Sequence, residues 1–459
     1  MSTPTRPSAL RHTEAKLLAG AVAIVAFAGA LLAWSMGREL PPSGMVTGVA
    51  VAVVAIVAHT AVRAAAPDAD PTLLPLAILL NGLGLVLIRR VDLGSASNFA
   101  APQTVWTAVA IGIFCAMLLF LRDIRDLARF QYTFGLATIV LLLLPLVPWI
   151  TAGVINGAQL WIDVLGMRFQ PGEVAKLTMV VFLAGYLERN RQLLAVATQR
   201  VGPLLLPAGR HLAPVIAAAL LALVIMAGQR DLGSALLVFG TFIAMLYVAT
   251  GRIAYPVIGG ATFLLGTLLV ISQFAHVQRR VDIWLDPWVD VQGASYQLVQ
   301  SLFALGTGGL TGTGLGLGRP QDIPFAATDA IFVVAGEELG LLGTTAFLVT
   351  FLLIAARGFR IAQTASDEFS KLVALGLTVT IALQTFVIIG GLTRLVPLTG
   401  ITLPFVSYGG SSLLANYLII ALLLRISDTS KAIARGRGPD DHTARPSTTP
   451  RHPQSATPA

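Results

Sequence analysis

QRRVDIWLDPWVDVQGASYQLVQSLFALGTGGLTGTGLGLGRPQDIPFAATDAIFVVAGEELGLLG, residues 278–343, is the stretch around which the rest of the chain is organised. It opens as a polar, Trp-bearing segment, passes through a glycine-dense run, and then sets Asp329, Glu337 and Glu338 at the start of a long apolar helix. A charge inside a membrane-spanning helix costs roughly 2.5–3.5 kcal/mol on insertion scales, so such acids face a polar cavity, a partner or a substrate. Pairing within the protein is the plainer reading of each acid, and a functional role the sharper one.

Outward from this stretch the chain is apolar. Of its 459 residues, 55% are hydrophobic and 12% charged, against about 25% charged in soluble domains. That balance predicts an all-α polytopic membrane protein. Twelve spans are expected, near 15–36, 45–65, 72–90, 103–121, 134–150, 173–188, 212–228, 234–250, 253–273, 330–356, 371–392 and 410–425. The first apolar run lacks a small-residue cleavage site and is followed by another, so it reads as a retained span. With alternating connections, Arg63, Arg122, Arg125, Arg129, Arg189, Arg191, Arg200, Arg210, Arg252, Arg357, Arg360, Lys371, Arg425, Lys431, Arg435 and Arg437 fall on the side of the N-terminus. That side is predicted to be cytoplasmic, with both termini there and a large extracellular loop near 274–328. The net charge of +8 follows from this placement and calls for no nucleic acid. The one cysteine, Cys115, excludes a disulfide within the chain and a cysteine-rich metal site.

The cations left at the outer edge are the informative ones. Arg38, Arg89 and Arg90 read as solvated or snorkelling side chains. Arg168, Lys176, Arg230, Arg279, Arg280, Arg319 and Arg394 sit beside glycine, proline, aromatic and acidic residues, and would line a cavity for an anion such as a lipid pyrophosphate. In NGAQLWIDVLGMRFQPGEVAKL, Pro171 suits a first helical turn and Glu173 and Lys176 share one face, where a mutual pair is the plainer reading. Asp231 adjoins Arg230 in the short loop GQRDLGS. The glycine run 306–318 lacks both the Lys-Ser/Thr ending of a phosphate-cradling loop and the G-x-G-x-x-G spacing, so close packing in the membrane is its expected use. Trp161, Trp284 and Trp288 are either interfacial anchors or platforms for sugar rings. No cofactor motif and no metal-ligand spacing occurs. A divalent cation, Mg²⁺ or Mn²⁺, stays open, because such sites need only one or two acids plus substrate phosphates.

The blocks GAQLW, RFQPGEVAK, QRDLGSALL, YQLVQS…GTGGLTGTGLGLG, TDAIFVVAGEELG and GITLPFVSYGGSSLLANY resemble, in this order from about residue 72 to 425, the signature blocks of the SEDS family (shape, elongation, division and sporulation). The resemblance implies a ten-helix core preceded by two extra N-terminal transmembrane helices. It also implies a peptidoglycan glycosyltransferase that polymerises lipid II and releases undecaprenyl pyrophosphate at the outer face of the plasma membrane. The family's catalytic aspartate falls on Asp329. Its Lys, Glu, Trp and Asp block positions fall on Lys176, Glu173, Trp161 and Asp231, and Arg168, Arg279, Arg280, Tyr296, Gln300, Ser407, Gly409, Gly410 and Ser411 are further candidates for substrate contact. Departures from the pattern are Leu160 for Arg, Gly172 for Ser, Arg230 for Pro, Ala330 for Phe and Phe325 for Glu. Thr399 and the ITLPFVSYGGSS wording lean towards the elongation branch, and LTRLVPLTG with the extra N-terminal spans is similar to actinobacterial members. A class B penicillin-binding protein, the transpeptidase, is the implied partner. Two other classes remain, a lipid II flippase and a scaffold that recruits that transpeptidase. The chain thus divides into 1–71 (accessory helices), 72–428 (catalytic core) and 429–459, a Pro/Ser/Thr-rich tail expected to be disordered.

Overall fold

The structure, a computed structural model, describes residues 7–37, 42–155, 157–164, 166–195, 199–201, 204–206, 217, 220–226, 228–273 and 275–436. Arg38, Arg210, residues 437–459 of the tail and part of the span expected near 212–228 lie outside the described residues, while residues 429–434, placed in the disordered tail by the sequence, continue the last helix. The helices are α1 (Pro7–Ser35), α2 (Pro42–Ala65), α3 (Leu73–Ser95), α4 (Ala100–Phe120), α5 (Gln131–Leu143), α6 (Pro171–Ala195), α7 (Leu232–Thr250), α8 (Ala254–Gln273), α9 (Ala275–Leu285), α10 (Tyr296–Gly308), α11 (Ile331–Gln363), α12 (Glu368–Leu392) and α13 (Gly410–Ala434). Eight helices among the described residues are long and apolar enough to cross a membrane, and Gln131–Leu146 and Ala254–Leu268 are shorter apolar helices. α6 stands where a span was expected near 173–188. This multi-pass membrane protein also carries two small antiparallel hairpins, β1 (Ile162–Val164) with β2 (Met167–Phe169) and β3 (Gln199–Val201) with β4 (Leu204–Leu206), in the connections on either side of α6.

Helix boundaries follow local chemistry. Asp231 caps α7 by accepting from the Ser234 amide at 3.0 Å, and Asp367 does the same for α12 from Ser370 at 3.0 Å. Buried along most of its length, α13 sits inside the bundle against α3, α4, α6 and α12. Its Tyr417 meets Phe114 and Phe405 edge-on at ring distances of 6.3 and 5.5 Å.

The loop expected near 274–328 is built of structure: α9, α10, and a glycine run that packs back into the bundle. The span expected at 330–356 is not one continuous helix. α11 breaks at Gly340, whose φ of 66° and ψ of −166° are non-helical. The glycine run fills the break: Thr313 and Gly314 donate to the Glu337 and Glu338 carbonyls at 2.9 and 3.0 Å, and Leu341 and Leu342 donate to the Gly309 and Leu310 carbonyls at 2.9 and 3.1 Å. A broken helix within a membrane protein needs such substitutes for its lost backbone bonds. Side chains are excluded from the seam. A Cβ at Gly312 would lie 2.2 Å from the Glu338 carbonyl oxygen, and one at Gly340 would lie 2.3 Å from the Gly312 amide.

Buried acids hold the same seam. Glu338 accepts from Arg90 Nε at 2.6 Å and from the Gly316 and Gly318 amides at 2.8 and 3.2 Å, while Glu337 accepts the Arg319 amide at 3.1 Å. Arg90 is therefore no snorkelling side chain. It is 3% exposed and paired, because a carboxylate buried in an apolar bundle is costly without a counter-charge.

Of the N-terminal helices, α1 is fastened at both ends and α2 at its C-terminal end. Arg11 pairs with Glu14, Glu14 faces His59 Nδ1 at 2.7 Å, and Arg11 also donates to the Ala69 carbonyl. From α13, Arg425 reaches the carbonyls of Ala65 and Leu118, and Asp428 accepts the Asp68 amide at 2.7 Å. At the far end of α1, Leu32, Ser35 and Met36 lie against Gly316 of the glycine run.

Candidate active site

Asp329 sits one turn of chain before α11, in a bend that Thr328 and Ala330 close by donating to the Phe325 carbonyl at 3.0 and 3.1 Å. This bend is stitched to the connection between α12 and α13. Ser407 Oγ donates to the Thr328 carbonyl at 2.5 Å and accepts from the Leu403 amide at 2.9 Å, and Tyr408 donates its amide to the Ala327 carbonyl at 2.8 Å. The same connection brings Gly400 beside Asp329, where a Cβ would come within 3.5 Å of Oδ2. From α9, Arg280 Nη1 donates to the Leu398 and Thr399 carbonyls at 3.2 and 3.0 Å. Three stretches distant in sequence thus meet at one carboxylate.

The electrostatics follow from that meeting. Burial pushes the Asp329 carboxyl up to about 6, against the opposing pull of the Thr328 hydroxyl and the Arg280 guanidinium. Asp231 is also raised by burial, opposed first by its capping bonds to Ser234 and then by Lys176. Burial lowers Arg280, and Asp231 and Asp329 both act to raise it. Lys176 Nζ donates to Glu173 Oε1 and Gln384 Oε1, each at 3.0 Å, and Gln384 Nε2 donates to the Thr402 carbonyl at 2.8 Å. Acids and cations therefore alternate through the site: Asp329, Arg280, Asp231, Lys176, Glu173. All of them lie at or near one end of the bundle, where α6, α7 and α11 begin and α12 finishes.

Other expected site residues have structural employment. Glu173 and Lys176 form the mutual pair that was the plainer reading, with both side chains buried. Ser411 Oγ accepts from the Gln170 amide at 2.8 Å, joining the start of α6 to that of α13. Gly409 donates its amide to Gln103 Oε1 at 3.1 Å, and Gly410 lies so close to Trp106 that a Cβ would sit 2.1 Å from the ring. The Trp161 carbonyl accepts from the Ala152 amide at 2.9 Å with its ring half-buried, and Arg168 is exposed on β2 opposite Asp163. Arg279 is exposed on α9, and Tyr296 and Gln300 are half-buried on α10, which packs against α11 and α12. No hydrogen bond among the described residues links these three side chains to Asp329. Trp284 donates from Nε1 to the Arg394 carbonyl at 3.1 Å, and Arg394 Nε donates back to the Trp284 carbonyl at 2.9 Å, which clamps the end of α9 to the same connection.

Gln103, Gln384 and the clamping role of Arg394 were not foreseen. The available signal was a lone amide inside an apolar run, as in TIALQTFVII, which a membrane helix keeps only where it is satisfied. Among the described residues no group of three or more His, Cys, Asp or Glu side chains stands together to hold an ion unaided. Asp329 and Asp231 are the acids a substrate-bridged divalent cation would use.

A broken-helix membrane bundle, with a half-buried carboxylate among alternating acids and cations at one end, defines a membrane-embedded polar site. The chain belongs to the cell cycle protein family of FtsW, RodA and SpoVE, whose model matches residues 71–432. It is 42% identical to the peptidoglycan glycosyltransferase RodA of Mycobacterium tuberculosis over 95% of this chain and 94% of that one. It is 33% identical to stage V sporulation protein E of Bacillus subtilis over 79% of this chain and 98% of that protein. Among solved structures, it is similar to a chain from work on the structural coordination of polymerization and crosslinking by a peptidoglycan synthase complex. That likeness has a TM-score of 0.62 at 29% identity and covers 78% of this chain and 97% of that one. A further likeness is to the rod shape determining protein RodA of Thermus thermophilus, with TM-score 0.52, 25% identity, and 78% and 96% coverage.

Proposed function

We propose that this protein is a peptidoglycan glycosyltransferase of the elongation branch, polymerising lipid II at the outer face of the plasma membrane with Asp329 as general base. The observation that carries the reading is the poise of Asp329. A carboxyl near 6 is ionised at neutral pH and still basic enough to take a proton from a sugar hydroxyl. In the step, the 4-hydroxyl oxygen of one lipid-linked disaccharide bonds to the anomeric carbon of another while its proton passes to Asp329. The bond from that carbon to the pyrophosphate oxygen breaks, and its electron pair leaves on undecaprenyl pyrophosphate. A single displacement inverts the anomeric centre, as with inverting carboxylate enzymes. Lys176 and Arg280 are the cations that stabilise charge growing on the leaving pyrophosphate, and Asp231, at the N-terminus of α7, keeps Arg280 in place.

The end-on position of this network supports polymerisation over lipid transport, which needs polar groups along a path through the midplane. The family relationship with named glycosyltransferases supports the activity, and the higher identity to mycobacterial RodA supports the elongation branch. The side bearing Arg63, Arg189, Arg252 and Arg357 is read as cytoplasmic, with both termini there. A class B penicillin-binding protein is the partner, a reading supported by the likeness to a chain from a peptidoglycan synthase complex. The test is polymerisation of purified lipid II by the purified protein, alone and with that transpeptidase, resolved on a gel. Wild-type protein should yield glycan strands and Lys176→Met none, with normal insertion and purification of the variant. No product from wild-type protein with its partner would end the reading, and full activity in Lys176→Met would remove that cation from the site.

A further inference from the structure

We infer that Gln384 is a positioning residue for the transfer step: it sets the Lys176 ammonium relative to Asp329 without neutralising it. The inference rests on the glycosyltransferase reading above. Gln384 is 2% exposed in the interior of α12, within an apolar run, and an unsatisfied amide there would carry the full desolvation penalty of its polar atoms. Both ends are engaged. Oε1 accepts from Lys176 Nζ at 3.0 Å, and Nε2 donates to the Thr402 carbonyl at 2.8 Å. That pairing admits one amide orientation, because the reverse would set an NH₂ group against an ammonium and an oxygen against a carbonyl.

Two consequences follow for Lys176. An ammonium has three N–H donors. With Glu173 and Gln384 both accepting from it, the direction of the ammonium is set by the two together. Without Gln384, the ammonium is left to Glu173, both of whose carboxylate oxygens lie 3.0 Å from Nζ, and the pair closes on itself. Glutamine suits the place because it orients a cation and leaves the charge intact, whereas a carboxylate would cancel it. The amide also spans the site. Thr402 lies two residues beyond Gly400, the residue against Asp329 Oδ2, so Gln384 connects the cation on α6 to the connection that flanks the base.

The experiment compares wild type, Gln384→Leu and Gln384→Glu, with Lys176→Met as the reference for a lost cation. Turnover and KM with lipid II, the dissociation constant for undecaprenyl pyrophosphate, and thermal stability in detergent are measured on each. Removing a hydrogen bond to a charged group should lower turnover and weaken pyrophosphate binding by about ten- to a hundredfold. Gln384→Leu leaves the Thr402 carbonyl without its donor and should melt somewhat below wild type, so turnover and affinity are measured well below its melting temperature. Gln384→Glu keeps size and polarity but places a second carboxylate on the ammonium, and should also lose pyrophosphate affinity. Wild-type turnover and pyrophosphate affinity in both variants would overturn the inference. So would a loss of turnover that tracks reduced stability with affinity unchanged. Should Gln384→Leu fail to fold, the Gln384→Glu affinity decides alone. Failure of the wild-type protein to polymerise lipid II would instead remove the glycosyltransferase reading beneath the inference.

Discussion

Neutralising Asp329 while keeping its shape, as Asp329→Asn, removes a proton acceptor and leaves intact the Ser407–Thr328 and Tyr408–Ala327 bonds that hold its bend. General base catalysis contributes two to four decades of rate, so polymerisation should fall by about 10²–10⁴ with insertion and transpeptidase binding unchanged. A finer test uses pH. Asp329 acts only when ionised, and with its carboxyl near 6 it is about nine-tenths ionised at pH 7 and about one-tenth at pH 5. Turnover should therefore fall roughly tenfold between those values, the loss running downward through pH 6. Arg280 pulls this carboxyl down, so Arg280→Met should move the acid limb to higher pH and reduce activity at neutral pH. Read as kcat/KM, which reports the free enzyme and free lipid II, the two profiles share the titration of the substrate, so their difference belongs to the enzyme. The assay is initial-rate strand synthesis from labelled lipid II across pH 5–8. Wild-type rates in Asp329→Asn, or superimposable profiles for wild type and Arg280→Met, would refute the assignment, and Asp231 would become the next acid to examine.

Breaking the buried pair at the glycine seam with Arg90→Met strands the Glu338 carboxylate and should destabilise the protein by about 3–5 kcal/mol, read as a fall in melting temperature in detergent. Adding Glu338→Gln should recover much of that loss, and an unchanged Arg90→Met would show the pair to be incidental. At Gly410, a single methyl would meet the Trp106 ring at 2.1 Å, so Gly410→Ala should lower folded yield, and trimming the ring with Trp106→Leu should restore it. For topology, single cysteines placed in residues 278–328 of the Cys115→Ala protein should react with an impermeant reagent in intact cells. Cysteines in residues 189–195 should not react, and the opposite pattern would invert the assignment of sides.

Composition and charge placement were enough for a helical membrane protein, because apolar length and the position of Lys and Arg are local properties that need no tertiary contact. The Asp329 position and its family were equally legible, since TDAIFVVAGEELG and ITLPFVSYGGSS are contiguous blocks. What the sequence could not disclose is which polar residues answer one another across hundreds of positions. Arg90 looked like a membrane-edge cation until Glu338, 248 residues away, was found 2.6 Å from it. The span expected at 330–356 looked continuous, because a break at Gly340 is tolerable only when amides from 313–314 and carbonyls from 309–310 stand in for the lost helix bonds. Gln384 gave no local sign of its partners. An amide in an apolar run announces only that something must satisfy it, and the packing of α6 against α12 decided that its partners would be Lys176 and Thr402.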